Sequence, residues 1–351
     1  MNDHRFMAAA LALAARGRGH TTPNPNVGCV IVRDDRVVGR GWTQAGGRPH
    51  AEAMALAQAG ESARGATAYV TLEPCAHASP RGPACADLLA ATGIARVVAA
   101  MRDPDPRTDG AGLARLAAAG IAVETGLMAD AARRSMAGWL TRRAQERPFV
   151  TLKLATSLDG CIALDSGESR WITGPAARAH AHGERSRHEL ILVGRGTWEA
   201  DRPALDVRLA GLEHRSPTRV VLSSTRHAGL VPASTPDRGD TLNAEASRSR
   251  PGWIPARGRD DEVLTIDTPE RIAALPGDHL LVEGGAYTAA SFLRADLVDR
   301  LLLYRAPILI GGGTAALGDI GLTDLAAAHG RWRLVDERRL GVDRLEEYER
   351  A

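Results

Sequence analysis

Four side chains close together in the chain carry its most legible chemistry: His50, Glu52, Cys75 and Cys85. One imidazole and two thiolates can hold zinc tetrahedrally while leaving the fourth position open, which distinguishes a catalytic site from a closed structural one. That position takes a water whose pKa the metal lowers toward ~7. A glutamate two residues after the histidine can carry the proton without occupying the metal. His-x-Glu followed by Pro-Cys and a second cysteine is the order found in zinc nucleobase deaminases. Nine residues separate Cys75 from Cys85, where that signature has two, so the metal loop here is longer. Buried apolar thiols and a surface histidine would be the alternative, but it leaves the ordered coincidence of four residues unexplained.

The surrounding sequence must place these groups. Apolar periodicity predicts a helix over 51–59, stopped at Gly60, with His50 and Glu52 at its start. A second helix is predicted over 86–91, closed by Gly93 and preceded by Cys85. Helix N-termini carry partial positive charge and free N–H groups, which favour thiolates and an anionic oxygen. Around them lie a helix over 6–15, strands over 29–33 and 36–39 flanking Asp34-Asp35, and strands over 68–72 and 96–100. Helix, strand and helix follow at 113–119, 121–124 and 130–143. The pattern is an α/β layer with a mostly parallel sheet after an opening hairpin.

The charged run ending in Arg147-Pro148 is read as a linker, and a new pattern begins beyond it. Strands are expected at 149–154, 189–193, 219–222, 279–282 and 301–305, with helices at 175–187 and 286–293. Residues 232–259, rich in Pro, Ser, Arg and Gly, are read as loop. No repeat links the two halves, so two different domains are expected, 1–146 and 149–351.

Bulk properties narrow the function. The 351 residues suffice for two cores, and 44% hydrophobic with 25% charged residues is ordinary for a globular protein. A net charge of +2 offers no electrostatic argument for nucleic acid or a membrane surface. No apolar run reaches the ~18 residues of a membrane span, and the start of the chain lacks a signal-peptide core. Four cysteines, two of them assigned to metal, point to a reducing cytoplasm without a disulfide framework. The chain has 43 arginines and a single lysine, Lys153. Either Lys153 is a chance survivor, or its position needs a compact ammonium with a shiftable pKa.

Ahead of the metal residues stands Thr22-Pro23-Asn24-Pro25-Asn26-Val27-Gly28-Cys29. The two prolines stiffen the loop, and the Asn24 amide can both donate and accept, which suits an exocyclic amine beside a ring carbonyl; a plain stiff turn is the alternative. Together with His50-Ala51-Glu52 and Thr71-Leu72-Glu73-Pro74-Cys75-Ala76-His77, this stretch resembles the bifunctional riboflavin-biosynthesis deaminase–reductases. The resemblance continues through Lys153-Leu154, Ser157-Leu158-Asp159-Gly160, Gly167-Glu168-Ser169-Arg170-Trp171-Ile172-Thr173 and Val282-Glu283-Gly284-Gly285, leaving out roughly 225–265.

The resemblance implies a cytidine-deaminase-like α/β/α domain followed by a dihydrofolate-reductase-like α/β domain. The first would deaminate 2,5-diamino-6-(5-phosphoribosylamino)pyrimidin-4(3H)-one through a zinc-activated water; the second would reduce the ribosyl side chain to ribityl with NADPH. By family match, His50, Cys75 and Cys85 are the zinc ligands, Glu52 shuttles the proton, and Asn24 and His77 contact substrate. In the second domain Lys153 is implied as catalytic, and Ser169, Arg185, Leu205, Arg208 and Glu283 as substrate positions. The implied cofactor positions are Ala155, Trp171, Thr197, Asp201, Ser224, Gly285, Ala286 and Tyr287. Arg185 and Arg208 could fork onto a phosphate. Gly284-Gly285 could cradle one at a helix start or be a bare turn, and Trp171 could stack on a cofactor or be core. Cys161 stands where many relatives have arginine and is given no role. The family implies a cytoplasmic dimer or tetramer acting on a small molecule, neither on nucleic acid nor at a membrane. The competing function, a tRNA deaminase with an accessory domain, expects a tight Cys-x-x-Cys and basic, aromatic-rich surfaces; 4% aromatics and balanced charge count against it. A zinc-stabilised scaffold without turnover has no use for Glu52.

Overall fold

The structure is a computed structural model and describes residues 3–77, 79–223 and 263–351. Its first half alternates α1 (Asp3–Ala14), β1 (Gly28–Arg33), β2 (Arg36–Trp42), α2 (Ala51–Ala59), β3 (Thr67–Val70), α3 (Cys85–Ala91), β4 (Arg96–Ala99), α4 (Ala111–Ala118) and β5 (Ala122–Thr125). Two short helices, α5 (Ala129–Ser135) and α6 (Ala137–Gln145), complete it. The strands form one sheet in the order β2-β1-β3-β4-β5. β1 is antiparallel to both of its neighbours, and β3, β4 and β5 run parallel. The expected opening hairpin and parallel remainder are therefore present. The single helix expected over 130–143 is instead two, because Met136 leaves helical geometry at φ −103° and ψ 18°.

Strand alternation assigns the layers. Gly28 on β1 faces α1, since a Cβ there would lie 1.9 Å from Ala10 O. Gly41 pairs with Cys29, the next residue along β1, and so faces the other side. There a Cβ would lie 2.1 Å from Ala51 O of α2. α1 and α2 thus cover opposite faces, an α/β/α sandwich whose core gathers Phe6, Met7, Ile31, Tyr69, Leu89 and Leu116.

The second half continues with β6 (Phe149–Thr156), β7 (Cys161–Ala163), α7 (Pro175–Arg185), β8 (Leu190–Gly194), α8 (Arg195–Asp201), β9 (Thr218–Leu222), β10 (Leu264–Ile266), β11 (His279–Val282), α9 (Ala286–Arg294) and β12 (Arg300–Arg305). It ends with β13 (Thr314–Ala315), β14 (Trp332–Leu340) and β15 (Asp343–Arg350). The large sheet has the order β10-β9-β8-β11-β6-β12-β15-β14, parallel through β12 and antiparallel beyond it. β7 and β13 pair separately. A second core forms around Val150, Leu152, Leu192, Leu280, Val282 and Phe292. The β14–β15 hairpin lies beyond the last strand expected from sequence. β14 is mostly exposed and reads Trp-Arg-Leu-Val-Asp-Glu-Arg-Arg-Leu, without the apolar alternation that marks a half-buried strand. The loop expected at 232–259 and the cofactor position Ser224 lie outside the described residues.

Candidate active sites

His50 caps α2 with an extended backbone (φ −71°, ψ 162°), and Cys85 is the first residue of α3. Cys75 comes from the loop after β3, and its Sγ accepts from the Cys85 backbone N–H at 3.3 Å. His50 Nδ1 lies 3.3 Å from Cys85 Sγ and 3.7 Å from Cys75 Sγ. The three ligating atoms all fall within 4.8 Å of one another. With Zn–S near ~2.3 Å and Zn–N near ~2.0–2.1 Å, a tetrahedral edge from nitrogen to sulfur spans about 3.6 Å, so the donor set fits zinc in both chemistry and spacing. The Cys75 thiol is pulled down by its hydrogen bonds with Cys85 and then with His50, against burial. Cys85 is pushed up by that same bond and by burial, so the pair readily presents a thiolate.

One cleft takes in Asn24, His50, Glu52, Cys75 and His77. Glu52, in the first turn of α2, is 3% exposed, and burial pushes its carboxyl up to about 7 against the pull of His50. Asn24 Nδ2 donates to Gly47 O at 2.9 Å and lies 2.9 Å from His50 Nε2. His77 Nδ1 is 3.3 Å from Thr108 Oγ1.

The same cleft holds groups that the motif reading did not single out: Asp103, Asp105, Arg107, Trp139 and Arg143. Glu73 explains how they arrive there. Its buried carboxylate accepts the backbone N–H groups of Asp103, Gly110, Gly112 and Leu113 at 2.9 to 3.2 Å. Every lone pair is occupied, so Glu73 fastens the loop after β4. Asp103 accepts from the Asp105 N–H at 2.9 Å, and burial pushes its carboxyl up to about 6, with Asp105 and Glu73 adding to the rise. Asp105 is held far down by hydrogen bonds from Arg107, with Arg143 also at 3.1 Å. No spacing motif marks them: Asp103-Pro104-Asp105 follows an apolar strand, but the grip of Glu73 from thirty residues away is what turns it into the cleft.

In the second half, the implied residues collect at the carboxyl ends of the parallel strands β6, β8 and β11, where open α/β sheets form their crevices. Ala155 lies near the end of β6, Thr197 in α8 after β8, and Gly285, Ala286 and Tyr287 where α9 begins after β11. A Cβ on Gly285 would lie 3.8 Å from Thr197 Oγ1, so the two helix starts adjoin. Trp171 is 66% and Tyr287 is 71% exposed, which removes Trp171 from the core and leaves a ring face open to a ligand. The Arg178 guanidinium lies 4.6 Å from the Trp171 ring centre. Arg170 Nη2 and Asp201 Oδ1, 3.7 Å apart, join the exposed Ser169–Trp171 loop to α8. Exposed aromatic faces and adjoining helix starts fit a dinucleotide's rings and phosphates.

Lys153 on β6 and Glu283, the residue just past the end of neighbouring β11, are half-buried. Burial lowers the Lys153 ammonium while Glu283 supports its charge. Arg185 donates Nε to Glu283 Oε1 at 2.8 Å, Nη2 to Oε2 at 2.9 Å, and Nη1 to Asp206 O at 3.0 Å. Its fork is therefore engaged by a carboxylate and not free for phosphate. Leu205, at φ 52°, is buried with Ile191, Val193 and Leu281. Arg208 is exposed and reaches toward His182 Nε2.

Comparison with known proteins covers both halves. Residues 1–101 match the cytidine and deoxycytidylate deaminase zinc-binding region, and residues 148–344 match the RibD C-terminal domain. The chain is 41% identical over 367 residues to the Escherichia coli K12 riboflavin biosynthesis protein RibD, covering 98% of each. An Acinetobacter baumannii RibD structure superposes with a TM-score of 0.79 at 34% identity, covering 99% of both chains. A Thermotoga maritima diaminohydroxyphosphoribosylaminopyrimidine deaminase/5-amino-6-(5-phosphoribosylamino)uracil reductase does so with a TM-score of 0.79 at 30% identity, again covering 99% of both.

Proposed function

Because this chain belongs to the RibD family of riboflavin-biosynthesis deaminase–reductases, we propose that its two sheets carry two consecutive steps on one small phosphoribosylaminopyrimidine, with residues 1–146 as the deaminase unit and 149–351 as the reductase unit. The substrates are those in the name of the Thermotoga relative: a diaminohydroxyphosphoribosylaminopyrimidine, then the corresponding aminouracil. The observation that carries the reading is the convergence of His50, Cys75 and Cys85 beside buried Glu52 and the Asn24 amide.

His50, Cys75 and Cys85 would hold zinc, which would supply the Lewis acidity that makes water a nucleophile near neutral pH. Glu52 takes the water proton and returns it to the departing ammonia. Asn24 and His77 bind the pyrimidine edge, and the Asp103 side of the cleft faces the rest of the substrate. In the reductase unit the starts of α8 and α9, with the exposed rings of Trp171 and Tyr287, would hold NADPH, which would supply hydride. Lys153 stabilises the charge that changes as hydride arrives at the ribosyl carbon, and Arg185 fixes Glu283 beside it. Arg208, exposed beside His182 and Asp206, takes the phosphate. We place the enzyme in the cytoplasm as a homo-oligomer; no helix of the described residues is long and apolar enough to cross a membrane. A nucleic-acid deaminase is not favoured, since the match to the RibD C-terminal domain runs over residues 148–344.

Paired substitutions test the reading. Glu52→Ala is expected to abolish ammonia release while reduction of supplied deaminated substrate continues. Lys153→Met is expected to do the reverse. Loss of both activities in either folded variant would overturn the two-site reading.

A further inference from the structure

The wall of the deaminase cleft that carries Asn24 is not fastened by the deaminase sheet alone. Residues 19–22 run along the reductase half and touch it repeatedly. A Cβ on Gly19, at φ 79°, would lie 2.5 Å from the Arg187 carbonyl carbon, so the two backbones are in direct contact. His20 Nε2 is 2.9 Å from Ser186 O. Thr22 Oγ1 donates to Glu189 Oε1 at 2.7 Å and lies 3.2 Å from Asp278 Oδ2. Glu189 immediately precedes β8 and Asp278 immediately precedes β11, so both carboxyls sit at the amino ends of two adjacent interior strands of the large sheet. Glu189 is itself held by the His279 backbone N–H at 3.0 Å.

Two residues beyond Thr22, the chain reaches the metal site. The Asn24 N–H donates to Thr21 O at 2.9 Å, which closes the turn and leaves little slack between Thr22 and the amide. The Asn24 side chain then meets Gly47 O and the zinc-ligating imidazole of His50. A hydrogen bond to an ionised carboxylate is short, directional and roughly twice as strong as a neutral one. It is therefore the contact best able to fix the position of a side chain two residues away.

We infer that Thr22, gripped by Glu189 and Asp278 of the reductase unit, is a positioning residue for deamination that sets the Asn24 amide against the pyrimidine at the His50 metal site. The deaminase site is then completed by the other unit, and its substrate affinity depends on the amino ends of β8 and β11. This inference rests on the proposed role of Asn24 in binding substrate.

The test uses the full-length zinc-loaded chain and compares Thr22→Val, Thr22→Ser, Asn24→Ala and the double variant Thr22→Val/Asn24→Ala. Ammonia release gives deaminase kcat and KM, and reduction of deaminated substrate is followed separately with zinc content and thermal stability. Thr22→Val is expected to lower deaminase kcat/KM about tenfold, mainly through KM, with reductase rate and zinc stoichiometry within twofold of the parent. Thr22→Ser should restore it, and Thr22→Val should add little in the Asn24→Ala background, because both changes remove the same contact. Parent-like deaminase kinetics in Thr22→Val, a fully additive double variant, or a parallel loss of reductase activity would each overturn the inference. If Asn24→Ala itself deaminates normally, the reading of Asn24 fails and takes the inference with it. If Asn24→Ala is impaired while Thr22→Val is not, the positioning role alone fails.

Discussion

Asp103 shows how a single carboxyl at the cleft trades stability for function. Its folded pKa of about 6 stands above the ordinary 3.8, with burial as the first cause. The folded state therefore binds this proton more tightly than the unfolded chain, and the site costs nothing below pH 3.8. As pH rises through 3.8 to about 6 the penalty grows, reaching on the order of 1–3 kcal/mol above that window. Asp103→Asn keeps an acceptor for the Asp105 N–H and removes the charge. It is expected to raise unfolding free energy by about 1–2 kcal/mol at pH 8, with no gain near pH 3.5, measured by denaturant titration at both pH values. Deaminase kcat/KM should fall in the same variant, since the group faces the cleft. Glu52 and His50 could be picked from sequence because their chemistry needs a fixed local spacing. Asp103 could not, since Glu73 brings it to the cleft from thirty residues away through backbone contacts that leave no motif.

At the level of elements, the catalytic helix is seated by two glycines on one strand. Cβ atoms at Gly39 and Gly41 would lie 2.2 Å from Ala55 O and 2.1 Å from Ala51 O, so β2 and α2 approach backbone to backbone. Ala51 sits between His50 and Glu52, and any outward shift of the helix start displaces both. Gly41→Ala is expected to cost about 1–3 kcal/mol through overpacking, and to lower zinc content per chain and deaminase activity at least tenfold. Reductase activity should remain within twofold, because the change lies in the other core. Metal analysis with the two separate assays checks this. Most elements were readable from periodicity, and their ends moved by one to three residues. The split at Met136 and the β14–β15 hairpin were not, because a helical pattern can run on across a kink and an exposed strand shows no alternation.

At the scale of the whole molecule, the two halves are joined through ionisable groups. Arg142 on α6 donates to Leu275 O at 2.8 Å, and a Cβ on Gly138 would lie 2.4 Å from the His279 ring. Burial alone would raise the Glu189 carboxyl, but His279 and the hydrogen bonds from His279 and Thr22 bring it down to about 2 from 4.5. A depressed acid stabilises the fold above its unfolded pKa, and that contribution is lost as pH falls from about 4.5 toward 2. Glu189→Gln is expected to lower stability by about 1–3 kcal/mol at pH 7, the difference from the parent shrinking as pH drops below 4.5. Thermal unfolding across that range, where the parent weakens more steeply than the variant, is the check.

From the order of its residues alone, this chain determined a His/Cys/Cys set that fits zinc, the glutamate beside it, the α/β pattern of both halves and its family. Those are properties of short spacings and local periodicity, which survive without knowing what folds against what. Tertiary structure alone decided that Arg185 is spent on Glu283, that Asp103 enters the cleft, and that Thr22 is held by carboxyls more than 160 residues away. Each is a contact between distant segments, fixed by how sheets and helices pack and invisible to any rule of spacing.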